Sequence, residues 1–134
     1  MQDLIQELKN EHKTILDILG QVKALGISSP AGQEKLLAAR DLLMAHVRKE
    51  DENYYPALRE AAENRKELKT IMDYFISDME AVTRNATRVF DKYAQGGDEG
   101  AFAGEIKLLY AMLRDRIRTE EETLFEKFPG ERAG

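Results

Sequence analysis

The chain has 134 residues, a length that suits one domain and lets the fold bury about two-thirds of its unfolded surface. It contains no cysteine, which excludes disulfides, thiolate metal sites, iron–sulfur clusters and cysteine nucleophiles. The formal net charge is −5, with acidic and basic residues interspersed. Because phosphate binding needs a positive face, we expect no nucleic-acid partner. We expect residues 1–134 to form a single domain.

The apolar residues are spread along the chain rather than collected in one block. No apolar run approaches the roughly 20 residues that a membrane-spanning helix needs. The first residues, MQDLIQELKNEHK, are amphipathic and acidic, which is not typical of a signal peptide. We therefore expect a cytoplasmic protein without a membrane partner.

Four segments carry apolar residues at spacings of three and four, the pattern of amphipathic helices. They cover about 2–25, 31–63, 65–94 and 99–127. The residues predicted to face inward are Ile5, Leu8, His12, Ile15, Leu19 and Val22; Leu36, Ala39, Leu43, His46, Glu50 and Asn53; Leu68, Met72, Phe75, Met79, Val82, Ala86 and Val89; and Phe102, Ile106, Leu109, Leu113, Arg116, Glu120 and Thr123.

The connections between the segments are short. Residues 26–30 end the first helix with glycine and start the second with proline, and residues 95–98 separate the third from the fourth. Pro56 is expected to kink or end the second helix. Short connections predict an all-α fold, an antiparallel up-down-up-down four-helix bundle. The alternative is an open pair of helical hairpins that dimerises; we expect a monomer or a weak homo-oligomer.

Five ionisable residues occupy inward positions where the pattern asks for apolar ones: His12, His46, Glu50, Arg116 and Glu120. With a rise of about 1.5 Å per residue, counting from the loops places the two histidines within one turn of each other. The same count places Arg116 level with Phe75. His46 with Glu50 and Arg116 with Glu120 are i, i+4 pairs, so each pair shares a helix face. The sequence therefore predicts one polar cluster inside the bundle.

Burial without partners would cost several kcal/mol for each of these groups, so they must pair with each other, with water or with a metal. Histidine nitrogen and glutamate oxygen suit iron, manganese or zinc. Ferritin-like di-iron sites use Glu-x-x-His on two helices. Lys9 and Leu43 stand where those glutamates would be, so that pattern is absent. A lone histidine on the first helix, followed by His-x-x-x-Glu on the second, is the pattern present.

Three stretches resemble the hemerythrin-like family of bacterial histidine/histidine/glutamate (HHE) cation-binding domains. They are EHKTIL at 11–16, HVRKEDENYYP at 46–56 and RIRTEEETLF at 116–125. The resemblance covers nearly the whole chain, because the number, order and length of the helices also fit. It implies a four-helix bundle that holds a non-haem di-iron centre, used to bind oxygen or to sense oxygen, redox state or iron.

The resemblance also implies which residues hold the metal. Carried over residue by residue, it makes His12, His46 and Glu50 metal ligands. It assigns the carboxylate on the last helix that bridges the two metals to Glu120 or to its neighbour Glu121. The expected cofactor is iron or another divalent metal ion, with O2 as an expected ligand of the metal.

The chain departs from the family on its third and fourth helices. Arg116 stands where the family has a histidine, and neither Phe75 nor Met79 supplies the histidines expected on the third helix. Tyr74 and Asp78 form another i, i+4 pair there, a weak alternative ligand pair beside the apolar stripe. One half of the site is intact and the other is lost. We therefore expect at most one metal ion, and no di-iron oxygen carrier.

Arg116 is expected to bridge Glu50 and Glu120 in place of the second metal, because a guanidinium stays charged and carries a fork of donors. The alternative is that its long side chain reaches out to solvent.

The leading functional expectation is a metal-binding or sensing domain with a reduced site. The alternative is a metal-free bundle that acts as an interaction or regulatory module. A metal-dependent oxidase or peroxidase-like enzyme ranks third. No P-loop, nucleophile elbow or pair of catalytic acids is present, so only a bound metal would support enzyme activity.

Overall fold

The computed structural model describes residues 2–128. Its elements are α1 (Gln2–Leu25), α2 (Pro30–Lys49), π1 (Glu50–Tyr54), α3 (Tyr55–Ala62), α4 (Lys66–Tyr93), α5 (Glu99–Thr119), π2 (Glu120–Leu124) and α6 (Phe125–Lys127). The π-helical segments π1 and π2 continue α2 into α3 and α5 into α6, so the chain forms four rods. The helix α1 packs against α2 and α5, and α4 packs against α2 and α5. The predicted all-α four-helix bundle is confirmed.

The connection between α1 and α2 is fixed by backbone contacts. Gly26 ends α1 with a φ of 73°, a left-handed conformation that glycine adopts without strain. Ser29 caps α2, because its hydroxyl accepts from the Gly32 N–H at 3.2 Å. Glu99, at the start of α5, accepts from the Ile27 N–H at 2.8 Å. This carboxylate ties the first connection to the fourth rod.

The second rod continues past Pro56, which the sequence predicted would kink or end it. The backbone hydrogen bonds change instead from i→i+4 to i→i+5 just before the proline, where the Tyr55 N–H donates to the Glu50 carbonyl. The fourth rod makes the same change without a proline, where the Phe125 N–H donates to the Glu120 carbonyl. Each π turn takes in one extra residue and shifts the phase of the helix beyond it.

This phase shift corrects two predicted core positions. Asn53 is exposed and Thr123 is only half-buried, although the spacing placed both inside. Their places are taken by the next two residues of each rod: Tyr54, Tyr55, Leu124 and Phe125. Every other residue that the sequence predicted to face inward is buried.

The apolar core has two parts, with the polar residues between them. The first core includes Leu19, Leu36 and Phe102 and fills the end that contains the α1–α2 connection. The second core includes Leu8 and Leu58 and fills the end that contains π1 and π2. Because the polar layer separates two packed apolar clusters, water is excluded from it on both sides.

Three hydrogen-bond donors on α4 surround one carboxylate of α5, at the end of the bundle that the first core fills. Glu105 accepts from the Tyr93 hydroxyl, from Lys92 Nζ at 2.9 Å and from Arg88 Nη1 at 3.0 Å. These hydrogen bonds lower the pKa of the Glu105 carboxyl to about 2. The ionised carboxylate is therefore a link between the third and fourth rods.

Replacing this carboxylate should weaken the fold in a pH-dependent way. A pKa lowered from 4.5 to about 2 in the folded state stabilises the fold above about pH 4.5 and loses that effect as the pH falls towards 2. Glu105→Gln should therefore lower Tm at neutral pH, and the gap to wild type should narrow below about pH 4.5. Glu34→Gln, at an exposed position of α2, is the control and should change Tm little. A gap that stays constant down to pH 3 would contradict this role for Glu105.

Candidate metal centre

Four buried side chains converge between the two cores. His12 comes from α1, His46 from α2, Glu50 from π1 and Glu120 from π2. Each offers one ligand atom, and these four atoms lie within 4.8 Å of one another. Each of the four residues is at most 2% exposed, and the two imidazole centroids lie 4.6 Å apart. The predicted inward-facing cluster is present, and three of the four rods contribute to it.

Each histidine of the cluster faces one carboxylate through Nε2. His12 Nε2 lies 3.2 Å from Glu120 Oε1, and His46 Nε2 lies 3.4 Å from Glu50 Oε1. Both glutamates are the first residues of π segments, a local structure that often occurs at functional sites. The two π segments therefore begin at the height of the histidines and bring the carboxylates of two rods to the same place.

The outer nitrogen of each ring is held by a second carboxylate. His12 Nδ1 lies 2.6 Å from Glu121 Oε2, and His46 Nδ1 lies 2.7 Å from Glu11 Oε1. An ionised carboxylate only accepts, so Nδ1 of each ring carries a proton and donates outward, while Nε2 faces the cluster. Metal-binding histidines are commonly oriented in this way. Glu121, the predicted alternative to Glu120, lies outside the group of four and holds the outer nitrogen of His12.

Glu11 is the residue whose role the sequence analysis missed. It also pairs with Lys49, whose Nζ lies 2.9 Å from Glu7. Burial alone would raise the pKa of Glu11, but its hydrogen bonds with Lys49 and His46 outweigh burial and lower it. The sequence contained a clue to this role. Glu11 directly precedes His12, so it lies at nearly the same height in the bundle and is turned about 100° round the helix from it.

The charges of the cluster are unequal. Burial, together with the charge of Glu120, raises the pKa of Glu50 to about 7. Burial also acts to raise the pKa of Glu120, but His12 and Arg116 outweigh it and the pKa is lowered. For His46, burial acts to lower the pKa, while Glu50 and Glu11 raise it to about 9. The layer thus holds one firmly ionised carboxylate beside a carboxyl group that takes up a proton near neutral pH.

The donor atoms of this layer fit a metal ion. His46 Nε2 and both carboxylate oxygens of Glu50 are buried and make no hydrogen bond within residues 2–128, although Nε2 lies 3.4 Å from Oε1. Each unsatisfied buried polar atom costs about 1–3 kcal/mol. Two imidazole nitrogens and two carboxylate oxygens are a ligand set for divalent iron, manganese or zinc. One such ion would satisfy these atoms together with His12 and Glu120.

Arg116 is buried at the edge of the same layer, so the alternative of a solvent-facing side chain is wrong. Its Nη2 donates to the Phe75 carbonyl at 2.8 Å, and Cζ lies 4.3 Å from the centroid of the Phe75 ring. Nη2 is 3.7 Å from Glu120 Oε2, and Nη1 is 3.4 Å from Asp78 Oδ2. The predicted bridge is therefore corrected: Arg116 joins Glu120 to Asp78, not to Glu50, because the Phe75 contacts hold the guanidinium beside α4.

Two tyrosines, Tyr55 and Tyr74, take different positions relative to the cluster. The Tyr55 hydroxyl donates to Glu120 Oε2 at 3.2 Å, so this residue positions a cluster carboxylate as well as packing in the core. Tyr74, considered a weak alternative ligand, is 61% exposed and lies outside the group of four. Its partner in that alternative, Asp78, pairs with Arg116 instead.

The fold and the site together define a cation-binding domain built on a four-helix bundle. The family model described as hemerythrin HHE cation binding domain matches residues 3–128, and the chain belongs to this family. Comparisons with curated proteins and with solved structures found no match. Across residues 2–128, no helix has both the length and the apolar character needed to cross a bilayer.

Removing the buried guanidinium should destabilise the protein strongly. Arg116→Ala leaves Glu120 without its cation, and breaking a buried ion pair from one side costs roughly 3–5 kcal/mol. Arg114→Ala, which removes an exposed arginine of the same helix, should cost less than about 1 kcal/mol. Urea unfolding of both metal-free variants measures the difference. Adding Glu120→Gln to Arg116→Ala should recover part of the loss; a loss below about 1 kcal/mol for Arg116→Ala contradicts the buried pair.

Proposed function

We propose that the protein binds one ferrous ion at His12, His46, Glu50 and Glu120, and that occupancy of this site senses iron or redox state. The observation that carries the proposal is a set of ligand atoms that face the interior. His46 Nε2 and both oxygens of Glu50 are buried without a hydrogen-bond partner in residues 2–128. They belong to a group of four ligand atoms within 4.8 Å of one another. A metal cation can bind imidazole nitrogen and carboxylate oxygen atoms at the same time.

The ligand chemistry supports iron. Mixed imidazole and carboxylate ligands are typical of non-haem Fe(II), and such sites leave coordination positions open. A bound iron would supply one-electron redox chemistry at this position. Manganese and zinc accept similar ligands, and metal analysis of the purified protein distinguishes them from iron.

The surrounding residues prepare the site for the ion. Glu121 and Glu11 hold the outer nitrogens of the two histidines, which fixes both ring orientations. Tyr55 donates to Glu120 and limits the movement of that carboxylate. The first and second cores keep water away from the layer. These contacts reduce the rearrangement that metal binding requires.

The placement of the ligands supports a sensing role. They come from α1, α2, π1 and π2, so a bound ion would add one common link between three rods that otherwise meet through side-chain packing and pairwise polar contacts. A ligand that binds only the folded state stabilises it, and the gain rises with ligand concentration. Reversible oxygen carriage by a di-iron centre has less support, because Phe75 and Met79 supply no metal ligand on α4.

A metal-free interaction module is the second candidate, and one observation favours it. The layer partly neutralises itself, since His46 lies between Glu11 and Glu50 and Arg116 lies beside Glu120. The two apolar cores also supply most of the packing without any ion. The helical signal should therefore survive chelation under either proposal, and metal content distinguishes the two.

Metal analysis tests the proposal directly. Protein prepared without chelators, or loaded with Fe(II) under anaerobic conditions, should hold about one iron per chain, as one set of four ligands allows. His46→Ala removes an inward nitrogen and should abolish binding. Tyr74→Phe, a change at an exposed residue outside the cluster, should leave the metal content unchanged. Two irons per chain would contradict the one-ion site, and loaded wild-type protein without metal would favour the interaction module.

The outer carboxylates should affect affinity without being ligands. Glu11→Ala frees the outer nitrogen of His46, and losing such a support typically weakens metal binding by about 10–100-fold. Glu7→Ala is the matched control, because Glu7 pairs with the same Lys49, whereas the ion pair with His46 is made by Glu11. Competition with a chromophoric chelator gives both affinities. Equal affinities for the two variants would show that Glu11 does not orient the ring.

A further inference from the structure

The two oxygens of Glu120 have different partners. Oε1 lies 3.2 Å from His12 Nε2, on the side of the group of four. Oε2 accepts from the Tyr55 hydroxyl at 3.2 Å and lies 3.7 Å from Arg116 Nη2. A carboxylate that bridges two metal ions uses its two oxygens in the same way, one for each cation. Here the second oxygen already faces a cation that belongs to the protein.

We infer that Arg116 is a fixed second cation of this centre and restricts it to one exchangeable metal ion. The inference rests on the proposed function, since it concerns how many ions the centre accepts. It assigns to Arg116 a specificity-determining role that goes beyond filling the place of a missing histidine.

The guanidinium is held in place from three directions. The Phe75 carbonyl accepts from Nη2 at 2.8 Å, and the Phe75 ring lies against Cζ at 4.3 Å. Asp78 Oδ2 lies 3.4 Å from Nη1 on the outer side. Arg116 as a whole is 5% exposed. Arginine does not lose its proton in proteins, so this positive charge is permanent.

Two separate causes could limit the centre to one ion. The first is a lack of ligands, because the chain has two histidines and both are in the existing cluster. The second is the positive charge of Arg116, which repels a divalent ion that approaches Oε2 of Glu120 in a water-excluded layer. The inference requires the second cause, so the experiment must add a ligand with and without the charge.

A pair of variants separates these causes. Phe75→His adds a nitrogen ligand on α4 and keeps Arg116, whereas Phe75→His with Arg116→Gln adds the ligand and removes the charge. Each is titrated with Co(II), and bound metal is counted by equilibrium dialysis and by ligand-field absorption. Wild type and the single variant should bind about one ion, and the double variant about two, because only the double variant offers an unopposed carboxylate oxygen.

The outcomes are distinct. A second ion in the single variant overturns the inference, because added ligand alone would then suffice. One ion in the folded double variant also overturns it, because removing the charge would then have no effect. No ion in wild type would be the failure of the proposed function, not of the role of Arg116. If the double variant unfolds without metal, its bound ions are counted after Co(II) has restored the helical signal: about two ions support the inference, and one ion or no recovery opposes it.

A second measurement uses the first ion alone. Arg116→Gln should bind Co(II) at least about tenfold more tightly than wild type, because a nearby positive charge is gone. Arg116→Lys keeps the charge without the planar fork and should stay within about threefold of wild type. A purely structural role for Arg116 would not separate the lysine and glutamine variants in this order. Equal affinities for wild type and Arg116→Gln overturn the inference.

Discussion

Two carboxylates that face each other inside an apolar bundle determine most of what surrounds them. Glu50 and Glu120 are both fully buried, and each acts on the ionisation of the other. Such a pair persists in a folded protein only when protons, cations or donors compensate it. The compensating groups are the two histidines, Arg116 and the Tyr55 hydroxyl. Together they offset the repulsion between the Glu50 and Glu120 carboxylates.

The π segments bring about this meeting of carboxylates. In each of the two rods, the segment begins at the glutamate of the polar layer and ends in the second core. The extra residue lets the second core be filled by the pairs Tyr54 with Tyr55 and Leu124 with Phe125. The same extra residue leaves Asn53 exposed and Thr123 half-buried. The backbone irregularity thus serves the packing and the site together.

Spacing along the chain was enough to predict the four rods and the height of the polar layer. Apolar residues at intervals of three and four define a helix face, and the short loops define the level of each residue. The π segments were not predictable in this way. Asn53 and Tyr54, three and four residues after Glu50, would both continue an α-helical stripe, so the spacing does not choose between them. The adjacent Tyr54 and Tyr55 were the only hint, and adjacent aromatic residues are common without a π turn.

Spacing also could not predict the partners of Arg116. It gave the face and the level of the side chain, and both proved correct. It did not give the direction of a long, flexible guanidinium among several acids at that level. The carbonyl and ring of Phe75 decide that direction, and such a backbone contact leaves no trace in the residue pattern.

The apolar character of α4 at this level, where Phe75 and Met79 stand, bears on how the domain would respond to its surroundings. Two neighbouring exchangeable ions can influence each other's binding and give a steep response. A centre with one exchangeable ion has no such coupling within the chain, so its occupancy follows the free ion along a simple saturation curve. With the metal held as proposed, occupancy of the domain would rise gradually with the concentration of free metal ion, without a threshold.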